Sequence, residues 1–153
     1  NSCNFVRDFK KPLLIYHSNK ALNRIISIST GLISASDTLR NKLHITSEDI
    51  SGEVMLMVNN ETVILSSNST CNFILRGKTK RLIINAYFND GKFDCRDLTC
   101  ERADILQRGY NDIIISPLDS LVGSIENAGR VYYSGNPGIK MNIFGGGELI
   151  QIR

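Results

Sequence analysis

The chain has 153 residues, 42% of them hydrophobic and 22% charged, with a formal net charge of +3; this is the balance of one folded domain with its own core, not of a disordered segment. Its basic residues are scattered apart from Lys10-Lys11 and Lys78-Thr79-Lys80-Arg81, and Trp is absent. That argues against nucleic-acid binding, which needs a dense basic stripe with aromatics for stacking. No apolar run approaches the roughly 20 residues of a membrane helix.

In chain order, residues 1–30 read as an N-terminal cap and a first strand, and 31–153 as repeated rungs, all within a single domain. The apolar "FVRDFKKPLLIY" segment, Phe5 to Tyr16, suits a cap, because the open edges of stacked strands invite pairing and are normally covered. A small or polar turn then recurs ahead of an apolar strand: Ser29-Thr30-Gly31-Leu32, then SGEV (Ser51–Val54), STCNF (Ser69–Phe73), NDGKF (Asn89–Phe93), GYNDI (Gly109–Ile113), NAGRV (Asn127–Val131) and GGGEL (Gly145–Leu149). The first apolar residues after the turns are Leu32, Val54, Phe73, Phe93, Ile113, Val131 and Leu149. After an opening step of 22, they recur every 18 to 20 residues. Such a period identifies a solenoid.

Within each repeat the apolar residues alternate. After the turns come Val54 and Leu56, Phe73 and Leu75, Phe93 and Cys95, Ile113 and Ile115, Val131 and Tyr133. Before them come Val63 and Leu65, Leu82 and Ile84, Ala103 and Ile105, Met141 and Ile143. Thr99 to Tyr110 has some helical character, but its place in the repeat predicts a strand. Pro117 and Asn136-Pro137 mark a second corner, where a residue without an N–H donor is tolerated. The expected fold is therefore all-β, a parallel β-helix of about six to seven rungs of 18–22 residues. The column just before each anchor reads Glu53, Asn72, Lys92, Asp112, Arg130, Glu148. Stacked, it never sets like charges side by side, so it would help to hold the register.

Gly145-Gly146-Gly147 is not a phosphate loop. Such a loop feeds a helix whose N-terminus meets the phosphate, whereas here the glycines lead into the strand Glu148-Leu149-Ile150. They predict a tight turn. Cys3, Cys71, Cys95 and Cys100 lack the density of a disulfide scaffold and the spacing of a zinc site, so they read as buried thiols, with a Cys95–Cys100 bond left open. "NDGKFDCRD" lacks the spacing of a calcium loop, and His17 and His44 are isolated.

The C-terminal "VYYSGNPGIKMNIFGGGELIQI" resembles the ending of the putative auto-transporter adhesin head domain family, also called the GIN domain. The residues that carry the likeness are Tyr132, Tyr133, Gly135, Asn136, Pro137, Gly145, Gly146 and Gly147, read as structural members of a family motif. The "FDCRDLTCERADI" repeat is similar too. The likeness is strong over Asp49 to Ile152 and weak in the first 40 residues. Its turns depart from the family's Ser-Gly-Ser-Gly-Asp pattern, with Asn-Ser-Thr-Cys-Asn and Arg-Gly-Tyr-Asn-Asp instead. The resemblance implies a right-handed β-helix in the cell envelope of Bacteroides-like bacteria, a role in adhesion, and no catalytic residues. "NSCNF" is similar to the end of a lipoprotein signal, with Cys3 as the residue to be lipidated, although Asn-Ser ahead of it departs from the usual small apolar pattern. Asn60 and Asn68 head Asn-x-Ser/Thr triplets, which would matter only in a eukaryotic secreted protein.

Three roles follow: a non-catalytic binding module for a surface glycan or protein, a polysaccharide-active enzyme, or a structural and assembly protein. The enzyme reading would draw on Asp90, Asp94, Asp97 and Asp112, with Lys92 and Arg96 nearby, because glycan cleavage needs acids at a working distance in one groove. These acids fall mostly in turns, where Asp is favoured for local backbone bonding. The sequence thus predicts the binding module, without cofactor or metal. It also predicts that the last rung, Ile139 to Ile152, is covered by a second copy or by another protein.

Overall fold

The structure, a computed structural model, describes residues 21–28, 30–48, 51–88 and 90–153. The Phe5–Tyr16 cap, Cys3 and His17 lie outside the described residues. Ten strands follow one another: β1 (Arg24–Ser27), β2 (Leu32–Ser34), β3 (Leu43–Glu48), β4 (Glu53–Asn68), β5 (Asn72–Ala86), β6 (Phe93–Gln107), β7 (Asp112–Ile125), β8 (Arg130–Tyr133), β9 (Gly138–Ile143) and β10 (Glu148–Gln151). Every pairing among them is parallel.

The sequence explains why four of these strands are so long. In β4, Val54, Leu56 and Val58 are buried, and then Val63, Leu65 and Ser67. The alternation changes phase between 58 and 63, as it must where a strand turns a corner while keeping its apolar side inward. β5 does the same, with Phe73 and Leu75 before the corner and Leu82 and Ile84 after it. Each long strand therefore supplies two sides of one rung. The first halves stack in the order β2, β4, β5, β6, β7, β8, β10, and the second halves in the order β1, β3, β4, β5, β6, β7, β9. This makes an all-β parallel solenoid of about seven turns, in which each rung satisfies the backbone groups of the next.

The predicted anchors form one column: Val54 faces Phe73, Phe73 faces Phe93, Phe93 faces Ile113, Ile113 faces Val131 and Val131 faces Leu149. The stretch from Thr99 to Gln107 is strand, as the repeat requires. Two alignments are corrected. Leu32 is not the first anchor: it pairs with Glu53 and is 60% exposed, while Ile33 faces Val54 and packs on the core. Both residues are apolar, so composition could not choose the inward one. Met141 and Ile143 are shifted by two places, since Ile139 faces Leu121 in the Val63 column and Met141 faces Gly123. Gly123 breaks the apolar pattern of its column.

The charge column stacks as predicted, with Glu53 opposite Asn72 and Arg130 between Asp112 and Glu148. Arg130 Nε donates to Asp112 Oδ1 at 3.1 Å, and the Lys92 backbone N–H donates to Asn72 Oδ1 at 2.9 Å. The Lys92 ammonium, however, lies 3.8 Å from Asp94, two residues on at the start of β6. The triple glycine is a turn. Gly145 has φ +83°, and a Cβ on Gly147 would lie 2.5 Å from the Asn127 carbonyl oxygen.

Candidate functional site

Of the acids considered for catalysis, Asp94, Asp97 and Asp112 each stand beside a guanidinium on the outer wall. Asp94 is gripped by Arg96 through Nε at 2.7 Å and Nη2 at 2.9 Å. Such a pair forms because residues two apart on a strand share a face. Asp97 lies 3.7 Å from Arg76, and Asp112 takes the bond from Arg130. On the next side of the rung Asp104 receives Arg81 at 2.7 Å and Arg102 at 2.6 Å. Asp94 faces Ile114, two places along from Asp112, so the two carboxyls stand diagonally across neighbouring strands. Asp90 is exposed in the turn before β6. These acids do not converge on one groove.

Their protonation follows from the same contacts. Burial pushes the Asp94 carboxyl up, but the Arg96 side chain and backbone N–H, with the Lys92 charge, outweigh it and hold it below its ordinary value. Burial acts likewise on Asp104, and Arg102 and Arg81 outweigh it there. The hydrogen bond from Lys80 lowers Glu61, and that from Arg108 lowers Glu126. A general acid needs the opposite, a carboxyl raised so that it carries its proton at neutral pH.

Cys71, Cys95 and Cys100 are buried free thiols. Burial pushes Cys95 far above its ordinary value and Cys100 up to about 12, which makes them core-filling groups rather than nucleophiles. His44 Nε2 lies 3.4 Å from the hydroxyls of Ser66 and Thr46. Among the described residues no three His, Cys, Asp or Glu side chains gather as a metal site would require.

The residues of the C-terminal motif build a corner. Tyr133 is buried and Tyr132 half-buried, with the Arg130 guanidinium 5.7 Å from the Tyr132 ring centre. Gly135 takes φ +79°, and Pro137 is buried behind it. Gln151 Nε2 donates to the Gly135 carbonyl at 2.7 Å and to Asn136 Oδ1 at 3.2 Å, tying this corner to the last rung.

Two surfaces stand out as places where another molecule could rest. One is an apolar groove of about 250 Å³, lined mainly by Met55, Met57 and Ile74 with Ser34, Ala35 and Arg76. Met57 is 51% exposed there, and flexible methionines suit an adaptable surface. The other is the row of turns that joins each rung to the next, from which Phe88, Tyr110 and Phe144 project, 75%, 65% and 59% exposed. Sequence reasoning missed this row. One signal was present: Ile84 to Phe93 is one residue longer than Leu65 to Phe73 or Ile105 to Ile113.

A family model described as the putative auto-transporter adhesin head GIN domain matches residues 5–137. The match takes in the N-terminal stretch whose resemblance was weak. It stops at Pro137, so the Gly145–Gly147 turn lies beyond it. No curated protein and no solved structure matches significantly.

Proposed function

Because the chain belongs to the putative auto-transporter adhesin head GIN domain family, we propose that it is a non-catalytic binding head of a bacterial cell envelope, one that recognises a surface glycan or protein. A solenoid suits this task, because stacked rungs give a rigid surface on which side chains repeat at a fixed spacing. The observation that carries the reading is the fate of the acids. Three of the four carboxylates that could serve catalysis, Asp94, Asp97 and Asp112, are paired with a cation of the same scaffold, while the exposed apolar side chains are left for a partner. The cell-envelope location rests on the family alone, and lipidation at Cys3 remains part of this proposal.

The test is a glycan array and a polysaccharide-depolymerisation screen run on the same purified chain. Binding without cleavage is the expected result. Cleavage that disappears in Asp94→Asn or Asp112→Asn would sink the reading and make the protein an enzyme.

The last rung motivates the proposal of a second copy as partner. β9 and β10 are edge strands, and Ile139 and Ile143 are 46% and 47% exposed on β9. A strand edge with such residues is a template for pairing. Sedimentation equilibrium should detect a dimer that Ile139→Lys and Ile143→Lys together dissociate. A monomer at every concentration would refute this contact and leave the binding-head reading untouched.

A further inference from the structure

The row of turns is built with more regularity than a set of loops needs. The first residue of each turn donates its N–H to the rung before: Tyr87 to the Ser67 carbonyl at 2.8 Å, Arg108 to Ala86 at 2.8 Å, Glu126 to Gln107 at 2.7 Å and Phe144 to Ile125 at 2.7 Å. In the turn after β6 two buried amides fix the rest. Gln107 Nε2 donates to the Asn111 carbonyl at 2.7 Å, its Oε1 accepts from the Gly109 N–H at 2.9 Å, and Asn111 Nδ2 reaches down to the Gly91 carbonyl at 2.7 Å. Gln107 and Asn111 are both buried. The turns are thus stacked at the strand spacing of about 4.8 Å and held from within.

On this fixed edge the turn that follows β5 is one residue longer than its neighbours. Ala86 faces Gln107 and Phe93 faces Ile113, so the surplus residue must bulge outward between them. Phe88 takes up the bulge. Its φ of +37° is the one positive value outside glycine among the described residues, a conformation that is strained for a bulky side chain. The strain turns an aromatic ring into solvent, against the usual preference for burying it. Tyr110 projects from the next turn. One rung further the register, set by Gln107 opposite Ile125 and Asp112 opposite Arg130, places Ala128 level with Tyr110, and then Gly146 level with Ala128. Beyond the two rings the positions level with Tyr110 are therefore small, while the third exposed ring of the row, Phe144, stands at the start of the last turn, two places before Gly146. Asp90 and Arg108, both exposed, flank the rings.

We infer that the Phe88–Tyr110 edge is a carbohydrate-stacking platform. A pyranose ring presents a face of C–H groups to an aromatic ring and hydroxyls around its rim, which suits ring-sized apolar platforms set among charged side chains. Two aromatics on adjacent rungs, with Tyr110 set one place further along its turn than Phe88, suit consecutive sugars of a chain that crosses the rungs obliquely, and the small tips of Ala128 and Gly146 let that chain continue along the edge. A protein partner would want a larger contiguous apolar patch, which charged Asp90, Lys92, Arg108 and Glu126 interrupt here. Holding the rings in place beforehand lowers the entropic cost of binding. This inference rests on the binding-head reading and names its ligand class.

The test uses Phe88→Gly, Tyr110→Ala and the double variant. Both rings are exposed, and glycine relieves the strained φ at 88, so melting temperature should not fall in Phe88→Gly. The probes are a polysaccharide array and the hexasaccharides of glucose, mannose and N-acetylglucosamine, with affinity read by calorimetry. At least one sugar class should bind, each single variant should weaken it tenfold or more, and the double variant should abolish it. A sugar that binds all variants equally would overturn the platform and leave the binding head standing. No binding to any sugar would overturn the platform as well, whereas cleavage of the probe would overturn the binding head itself.

Discussion

Replacing Gly123 with alanine should cost at least about 3 kcal/mol and leave much of the protein unfolded at physiological temperature. Two costs add at this position. Gly123 lies inside β7 with φ +136°, a backbone conformation that L side chains rarely adopt, and a Cβ there would sit 1.8 Å from the Ile105 carbonyl oxygen of the rung before. That oxygen belongs to the parallel ladder, so it cannot retreat without breaking the pairing that holds β6 to β7. Gly77 in β5 presents the same combination, with φ +106° and a Cβ 2.1 Å from the Val58 oxygen. It stands where the register between β5 and β6 slips. Gly31 is the control. Its φ is +142°, but nothing lies within 4 Å of a Cβ there, so alanine should cost only the conformational strain, about 1 kcal/mol. Urea denaturation of the three variants separates these contributions. Equal losses at Gly31 and Gly123 would show that the carbonyl contact counts for nothing.

These glycines also mark where the sequence stops being legible. The anchors from Val54 to Leu149 could be found because a residue that must point inward after a turn is apolar in every rung, and turns are rich in Gly, Asn, Asp and Ser. The second-half column that runs through Leu65 and Ile84 was harder to follow. Gly123 stands in it between Ile105 and Met141, and a pattern of apolar residues cannot register a glycine. Leu32 failed for the opposite reason, since an apolar pair offers two phases and only pairing with β4 selects Ile33.

The candidate site was less legible still. Asp94 and Arg96 are two apart, so their pairing could be anticipated from strand geometry. The grip of Arg81 on Asp104 joins neighbouring rungs and depends on a register that includes a slipped segment in β5 and β6. Phe88 was hidden more deeply, because an aromatic in a turn carries no mark of whether it folds inward or outward. Its exposure follows from comparing the lengths of three successive turns, which requires the register of every rung.

The core itself supplies the other large effect. Phe93→Ala should destabilise the protein by about 4 kcal/mol, within the range for deleting a buried aromatic ring. Phe93 and Phe73 are both fully buried, and their rings stack with centroids 4.8 Å apart and planes 4° from parallel. The ring separation thus equals the rung spacing of a parallel sheet, about 4.8 Å, so like residues in one column keep each other in contact without distorting the backbone. Removing either ring opens a cavity that the rigid ladder cannot close. Removing both should cost less than twice as much, because the second deletion enlarges an existing void and no longer breaks a stack. The damage should also be local. Each rung touches only its neighbours, so stability is a sum of nearest-neighbour terms, and hydrogen exchange should speed first in β5, β6 and β7 while β3 keeps its protection. Phe93 further anchors the strand that leaves the Phe88 turn, and any sugar affinity should therefore fall in Phe93→Ala even below its melting temperature. Uniform loss of protection along the whole chain would mean that the solenoid unfolds as one unit, and the nearest-neighbour account would then fail.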